Sequence, residues 1–474
     1  MRILRKALIT TLSLALLTTM LTGCSRASAT GQAPDIAPSD KQFAYGVMGE
    51  TEYFVTEDGL LYMKDGLIRF YDFEADASYV LCGNPDCWHN DMSCAAWYQG
   101  APPAAGLALY GQNVYVIKWD TDIFGITSIQ LVRIDLESLT SQVVCKLDGV
   151  LQGTSPNSIP GISFACYSSG KAWIASDNGY TIYPMPGVGP VPTAGYVFND
   201  GLYNIFGIDL ESGEITELLD PAAERSMQHQ VRLATDGYIV LERQWNPDPL
   251  LFEQEFNEAL QRGEFAAFAS AEVPYFEYVN WYYDNASRYS VSLIDLATGA
   301  SELLVEGDCT LQTFIDYESG DPTYGYLAGR LYQGCYTGSL IYSIDNYRAD
   351  SYDSQWYSYD LQTGAESYLF EITNGYLEYV QLGGDMVTDD GYIIYNQRQQ
   401  RDDDSRQVYR YSLQTGESEA LFTAGEHTSI YIYGETADSF IGRVWDASND
   451  YFEIIIAKDD YYRGDVTAYR VFTL

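Results

Sequence analysis

The sequence predicts an all-β protein, a β-propeller of seven four-stranded blades. Three observations lead there. Short apolar strands recur after turn signals along the chain. A second strand, ending in an Asp-Leu-x-x-Gly turn, follows most of them. Aromatic residues make up 15% of the 474 residues, with 42 Tyr and 8 Trp, and such side chains favour pleated strands over helices.

The first kind of strand falls at residues 60–63, 114–117, 172–175, 238–241, 340–343, 392–395 and 440–444. Asp58-Gly59, Asp236-Gly237 and Asp390-Gly391 precede three of them and read as tight turns. The second kind ends in Ile134-Asp135-Leu136, Ile208-Asp209-Leu210, Ile294-Asp295-Leu296, Tyr359-Asp360-Leu361 and Tyr411-Ser412-Leu413, with a weaker copy at Tyr71-Asp72-Phe73. In such a hairpin the Asp accepts backbone hydrogen bonds and the Gly supplies positive φ. Positions 72, 135, 209, 295, 360 and 412 recur at intervals of 52 to 86 residues, room for about four strands each. A four-stranded unit repeated around an axis is a propeller blade. Residues 429–474 hold three or four more strands and make the seventh. The ring closes by one of two routes: residues 43–47 complete the last blade, or residues 468–473 complete it unaided.

Ahead of the blades lies an address. Arg2, Arg5 and Lys6 precede an apolar stretch over residues 7–21. This is the pattern of a secretory signal, too short to span a bilayer. It ends Leu21-Thr22-Gly23-Cys24, which resembles the bacterial lipobox. The resemblance implies a signal peptide over residues 1–23 and a diacylglycerol thioether on Cys24. Residues 24–41 are small, polar and Pro-containing, and read as a tether. Residues 42–474 are the propeller, held at the extracytoplasmic face of the cell membrane by the lipid alone.

Composition narrows the partners. The chain carries 26 Lys+Arg against 66 Asp+Glu, a formal charge of −40. That excludes nucleic acid as a default partner, because phosphate binding is carried by Lys and Arg. It equally disfavours docking on anionic lipid through a basic patch.

Two blades are oversized between their second and third strands. The blade-3 insert, residues 178–200, contains the Pro- and Gly-rich run PMPGVGPVP and reads as loop. The blade-4 insert spans residues 246–287. There Asp248-Pro249 reads as a helix start, and apolar residues follow at helical spacing, predicting one helix over residues 250–262. Both inserts lie on the face of the blade-to-blade loops, where function tends to sit. They are aromatic, and Trp245, Tyr275, Tyr278, Trp281 and Tyr282 are the candidate ligand-binding residues for sugar rings or apolar peptide groups. The plainer alternative is that these rings only pack the inserts onto the blades.

Of eight cysteines, Cys24 is assigned to lipid and Cys145, Cys166, Cys309 and Cys335 are scattered. Cys82, Cys87 and Cys94 cluster with His89. Three thiolates and an imidazole suit a structural zinc. A Cys82–Cys94 or Cys87–Cys94 disulfide, or free thiols, are the alternatives. In an extended segment Cys87 and His89 point the same way, and Pro85 turns the chain back toward Cys82.

The run Cys82, Pro85, Cys87, His89, Cys94 and Ala96 resembles a motif of uncharacterised bacterial surface lipoproteins with propellers of the TolB and lipoprotein-receptor type. The resemblance covers about residues 43–474. It implies fold and location, and leaves function open. The Tyr-Trp-Thr-Asp signature of receptor propellers is absent.

No motif for a serine hydrolase, zinc protease, phosphate loop or sialidase Asp-box occurs, and no catalytic residue is assigned. His229 and His427 stand alone and read as structural, and Asp402-Asp403-Asp404 as a solvated loop. The function expected is therefore a binding or interaction module with a protein or glycan ligand. The alternatives are a scaffold or sensor subunit of an envelope complex, and a glycan-active enzyme.

Overall fold

A computed structural model describes residues 36–48, 53–91, 93–98, 104–122, 125–148, 150, 161–177, 181–184, 195–198, 203–219, 227–245, 258, 262, 288–308, 310–315, 322–327, 329–347, 352–375, 386–398, 406–425, 430–445 and 451–474. Among the described residues seven antiparallel sheets follow one another along the chain, each with four strands in chain order; the second and third gain a fifth strand from the N-terminal segment, and a separate two-stranded ribbon interrupts the third. Blade 1 begins at Tyr53–Val55, blade 2 at Ala104–Tyr110, blade 3 at Gly161–Ser168 and blade 4 at Met227–Thr235. Blades 5, 6 and 7 begin at Leu331–Tyr336, Met386–Val387 and Ile430–Glu435. The seven-bladed propeller is thus the fold.

Apolar side chains alternate across the middle strands and bury both sheet faces, as packed blades require. The result is seven cores, one per seam. Leu61, Phe70, Val114 and Ile134 fill the seam of blades 1 and 2. Leu60, Tyr71, Ile441 and Phe472 fill the seam of blades 7 and 1.

The Asp-Leu-x-x-Gly turns behave as their chemistry predicts. Asp209 Oδ1 accepts from the Glu211 and Ser212 amides, and Asp360 Oδ1 from those of Gln362 and Thr363. The Thr363 hydroxyl and amide hold the Asp360 carboxyl below the usual Asp range, and the amides and hydroxyls of Ser138 and Ser212 do the same for Asp135 and Asp209. Gly213 has φ 74°, a left-handed conformation that costs glycine little. The following Leu amide then stitches this turn to the turn between the first two strands of the same blade. Leu210 donates to Gly170 O, Leu296 to Gly237 O and Leu361 to Gly338 O. Both sets of turns therefore share one face, the turn face. The blade-to-blade connections and the inserts share the other, the loop face.

Ring closure takes the second of the two expected routes. Arg470–Phe472 pairs with Tyr451–Ala457, so blade 7 is built unaided from the C-terminus. Residues 43–47 do not complete it, which corrects the first route. Instead Phe43–Tyr45 runs antiparallel along the inner edge of blade 3, with Ala44 opposite Tyr167. Val47–Met48 pairs with the innermost strand of blade 2. The N-terminal segment thus lines the inner rim of the ring, and small residues admit it. A Cβ on Gly46 would lie 2.7 Å from Gly106 Cα and 3.1 Å from Ala165 Cβ. Gly46→Val should therefore unseat the segment at a cost of about 1–3 kcal/mol. Trypsin would then cut after Lys41 faster than in the parent; an unchanged rate would refute this seating.

With no strand exchanged, a polar latch joins blades 7 and 1. Glu453 accepts from Tyr53 (2.9 Å), Tyr433 (2.8 Å) and Arg443 Nε (2.9 Å). Arg443 Nη2 also donates to Tyr53 Oη at 2.6 Å. Its guanidinium lies 5.0 Å, 5.4 Å and 4.9 Å from the ring centres of Tyr53, Tyr433 and Tyr451. Burial, and then the Glu453 charge, push the Tyr53 and Tyr433 hydroxyls above the ordinary tyrosine range. A raised folded value means the folded state keeps its protons while the unfolded chain loses them. Stability from these groups is full below about pH 10 and falls as pH rises above it. Alkaline titration should show tyrosinate absorbance from this pair only as the chain unfolds; early ionisation in the folded state would contradict the latch.

Two expectations are corrected, and one ribbon is present that the sequence did not announce. The blade-3 insert is not all loop, since Thr181–Pro184 pairs with Gly195–Phe198 and the two strands flank the Pro-rich run. A second ribbon, Thr310–Ile315 with Pro322–Leu327, went unread. The helix described in full is Lys458–Tyr462 in blade 7, where strands alone were expected. The blade-4 helix falls mostly outside the described residues; within its range the Arg262 amide donates to Glu258 O at 2.9 Å, one helical bond. Among the described residues no helix is long and apolar enough to cross a membrane.

Candidate metal centre

Residues 81–98 connect blade 1 to blade 2 and lie over the seam between them. Their outer part meets the rim, where the Gly83 amide donates to Leu139 O in the third-to-fourth-strand turn of blade 2. Their later part pairs back on blade 1 through the Ile68 amide to Ala96 O and the Tyr98 amide to Gly66 O. From blade 2 the buried Lys118 ammonium reaches across and donates to Ala95 O and Trp97 O, at 2.5 and 2.9 Å. A lysine so buried needs such acceptors.

Two local turns then fold the cysteines inward. Asn84-Pro85-Asp86-Cys87 closes with the Cys87 amide donating to Asn84 O, and the Asn84 side chain accepts from the Asp86 amide. Pro at the second position presets that turn. Asp91 does the same for the third cysteine: its carboxylate accepts from the Ser93 amide and hydroxyl, and its carbonyl from the Cys94 amide. His89 sits between, with φ 52°. That left-handed turn, rather than an extended strand, swings its ring back, so the convergence has a different cause from the one expected. His89 Nδ1 lies 3.2 Å from Cys94 Sγ.

The ligand atoms of Cys82, Cys87, His89 and Cys94 all lie within 4.8 Å of one another. Tetrahedral zinc, with bonds of about 2.0–2.3 Å, sets its ligand atoms roughly 3.5–3.8 Å apart. The cluster thus has the donor chemistry and nearly the spacing. Cys94 is the buried member, 1% exposed, and belongs to the apolar core of the seam. Burial, then the neighbouring Cys82, push its thiol up to about 12. Burial and then Arg69 lower the His89 value, favouring the neutral ring that ligates metals. No disulfide joins the described cysteines, and Cys145, Cys166 and Cys335 are free thiols elsewhere. Trp88, between two of the cluster residues, is 80% exposed.

The aromatic candidates fare differently. Trp245 ends the second strand of blade 4 at the loop face, half-buried, opposite Met227 and Arg288. Tyr275, Tyr278, Trp281 and Tyr282 lie outside the described residues, as do Cys24, Cys309, His427 and Asp402 to Asp404. His229 stacks on Tyr203 with ring centres 4.4 Å apart. Sequence reasoning missed Asn84, Asp91 and Lys118. The Asn-Pro-Asp and Asp-x-Ser spellings were the available signals for the first two.

No family model matches the chain, and no curated protein matches it. Among solved structures the chain is similar to an oligogalacturonate lyase in complex with manganese, at 11% identity and TM-score 0.39 over 74% of this chain and 72% of that one. It is similar to TolB from Acinetobacter baumannii at 12% identity and TM-score 0.28, over 72% and 66%. It is also similar to the β-propeller domain of the Trilobed protease from Pyrococcus furiosus at 8% identity and TM-score 0.34, over 73% and 79%.

Proposed function

We propose that the chain is a lipid-anchored, extracytoplasmic binding module, with a structural zinc at the seam of blades 1 and 2. The observation that carries the zinc is the convergence of Cys82, Cys87, His89 and Cys94 within 4.8 Å. All four donors come from protein, so the site is closed, as structural zinc sites are. The metal would cross-link the connection between two blades and add stability to the seam.

The binding reading rests on the scaffold. Seven packed seams frame the loop face, and the second and third strands of blades 3 and 4 meet it on adjacent blades. Trp245 stands at the root of the blade-4 insert, with four more aromatic candidates along it. The anchor reading rests on Leu21-Thr22-Gly23-Cys24 behind its apolar stretch. The lipidated full chain should be probed on glycan and peptide arrays. Binding that Trp245→Ala and Trp281→Ala abolish at unchanged thermal midpoint supports the module; binding that both variants keep sinks this site.

A further inference from the structure

The N-terminal segment reaches the propeller on one defined face. Ile36 is buried in the seam of blades 1 and 2. The Ala37 amide donates to Asp58 Oδ2, the Ser39 amide to Gly111 O, and Lys41 pairs with Asp389 at 3.1 Å. Asp58, Gly111 and Asp389 belong to first-to-second-strand turns of blades 1, 2 and 6. These turns surround the axis on the turn face. From there the chain enters the ring as Phe43–Tyr45 and runs toward the loop face.

We propose that the turn face is held toward an anionic bilayer, at a stand-off, and that the loop face is the outward interaction surface. This rests on the tethered reading. Eleven residues, or twelve Cα steps, separate Cys24 from Ile36, and fully extended they reach about 40 Å. The longest strands have 10 or 11 residues, which puts the two faces about 30 Å apart. A domain of this length has a radius of gyration of about 22 Å. A path from Ile36 in its seam, over the rim and down to the loop face adds the distance from seam to rim to that ~30 Å, and so exceeds about 40 Å by the same scaling. The tether cannot make that journey in any conformation. Charge sets the stand-off. The turns present Asp58, Asp135, Asp209, Asp295, Asp360 and Asp390, and like charge repels anionic headgroups over a Debye length of roughly 8–10 Å.

The test uses the lipidated full chain on vesicles of phosphatidylethanolamine and phosphatidylglycerol. A fluorescent amino acid is installed at Gln362 on the turn face or at Lys64, which ends the second strand of blade 1 at the loop face, both exposed. Energy transfer to a headgroup-labelled lipid is read for each. Transfer from Gln362 should exceed that from Lys64 by about twofold or more, given ~30 Å between faces, and high salt should raise the Gln362 signal. If the protein floats with vesicles and Lys64 transfers as strongly, the orientation is overturned while the anchor stands. If the protein carries no lipid on Cys24 and does not float, the anchor reading fails and takes the orientation with it.

Discussion

Cys94→Ser, purified without chelator, should retain no zinc in native mass spectrometry, while the parent retains one. The sulfur sits in the apolar seam, 1% exposed, and its replacement is nearly isosteric, so little of the effect comes from a cavity. What is lost is the linkage between metal and fold. At a thousandfold excess of free zinc over Kd, that linkage is worth about 4 kcal/mol, or roughly 5 °C of thermal midpoint for a chain this long. Chelator should lower the parent's midpoint by a similar amount and leave the variant's unmoved. A zinc-free parent whose denatured mass lacks two protons per bridge would replace the metal by a disulfide.

The second large effect belongs to the ring closure. Glu453→Ala should cost about 3–5 kcal/mol, because it strands the Arg443 charge among three aromatic rings. The carboxylate side chain is 7% exposed and the guanidinium 21%, so solvent cannot replace the lost partner fully. Glu453→Gln keeps acceptor and shape and should cost clearly less. Urea midpoints would rank the two, and hydrogen exchange would place the loss in Tyr53–Val55 and Ile430–Glu435. Equal costs would mean that the charge pair contributes nothing. By contrast Arg410–Glu419, whose carboxylate is 62% exposed, should cost no more than about 1 kcal/mol to break.

These sites differ in how visible they are before folding. The Asp-Leu-x-x-Gly turn is legible because its Asp and Gly do their work within four positions. Its six copies carry six of the blades, and the strands after residue 429 add the seventh. The cysteine cluster is legible as spacing, yet its convergence depends on a left-handed His89 that no pattern announces. The latch is illegible for a stronger reason. Tyr53 and Glu453 lie 400 residues apart, and each looks like an ordinary strand residue. Phe43–Tyr45 failed in a third way. An apolar strand without a fixed turn fits any open sheet edge, so its sequence cannot say which blade receives it. The contacts that decide the matter are at Gly46, Gly106 and Ala165, where the backbones come close enough to leave no room for a side chain.

The inner-rim segment also imposes an order of assembly. Phe43 pairs with Ser168, so the first strand made waits for blades 2 and 3 before it has anything to bind. Local hairpins form early, and pairings of long sequence separation form late. Once blade 3 is complete, the N-terminal segment can cross-brace blades 2 and 3 while more than half of the chain is still unfolded. The second half then assembles onto a seated first half, and joining blade 7 to blade 1 shuts a ring whose innermost strand is already inside. A ring sealed by trading strands between its two ends would have no such early brace.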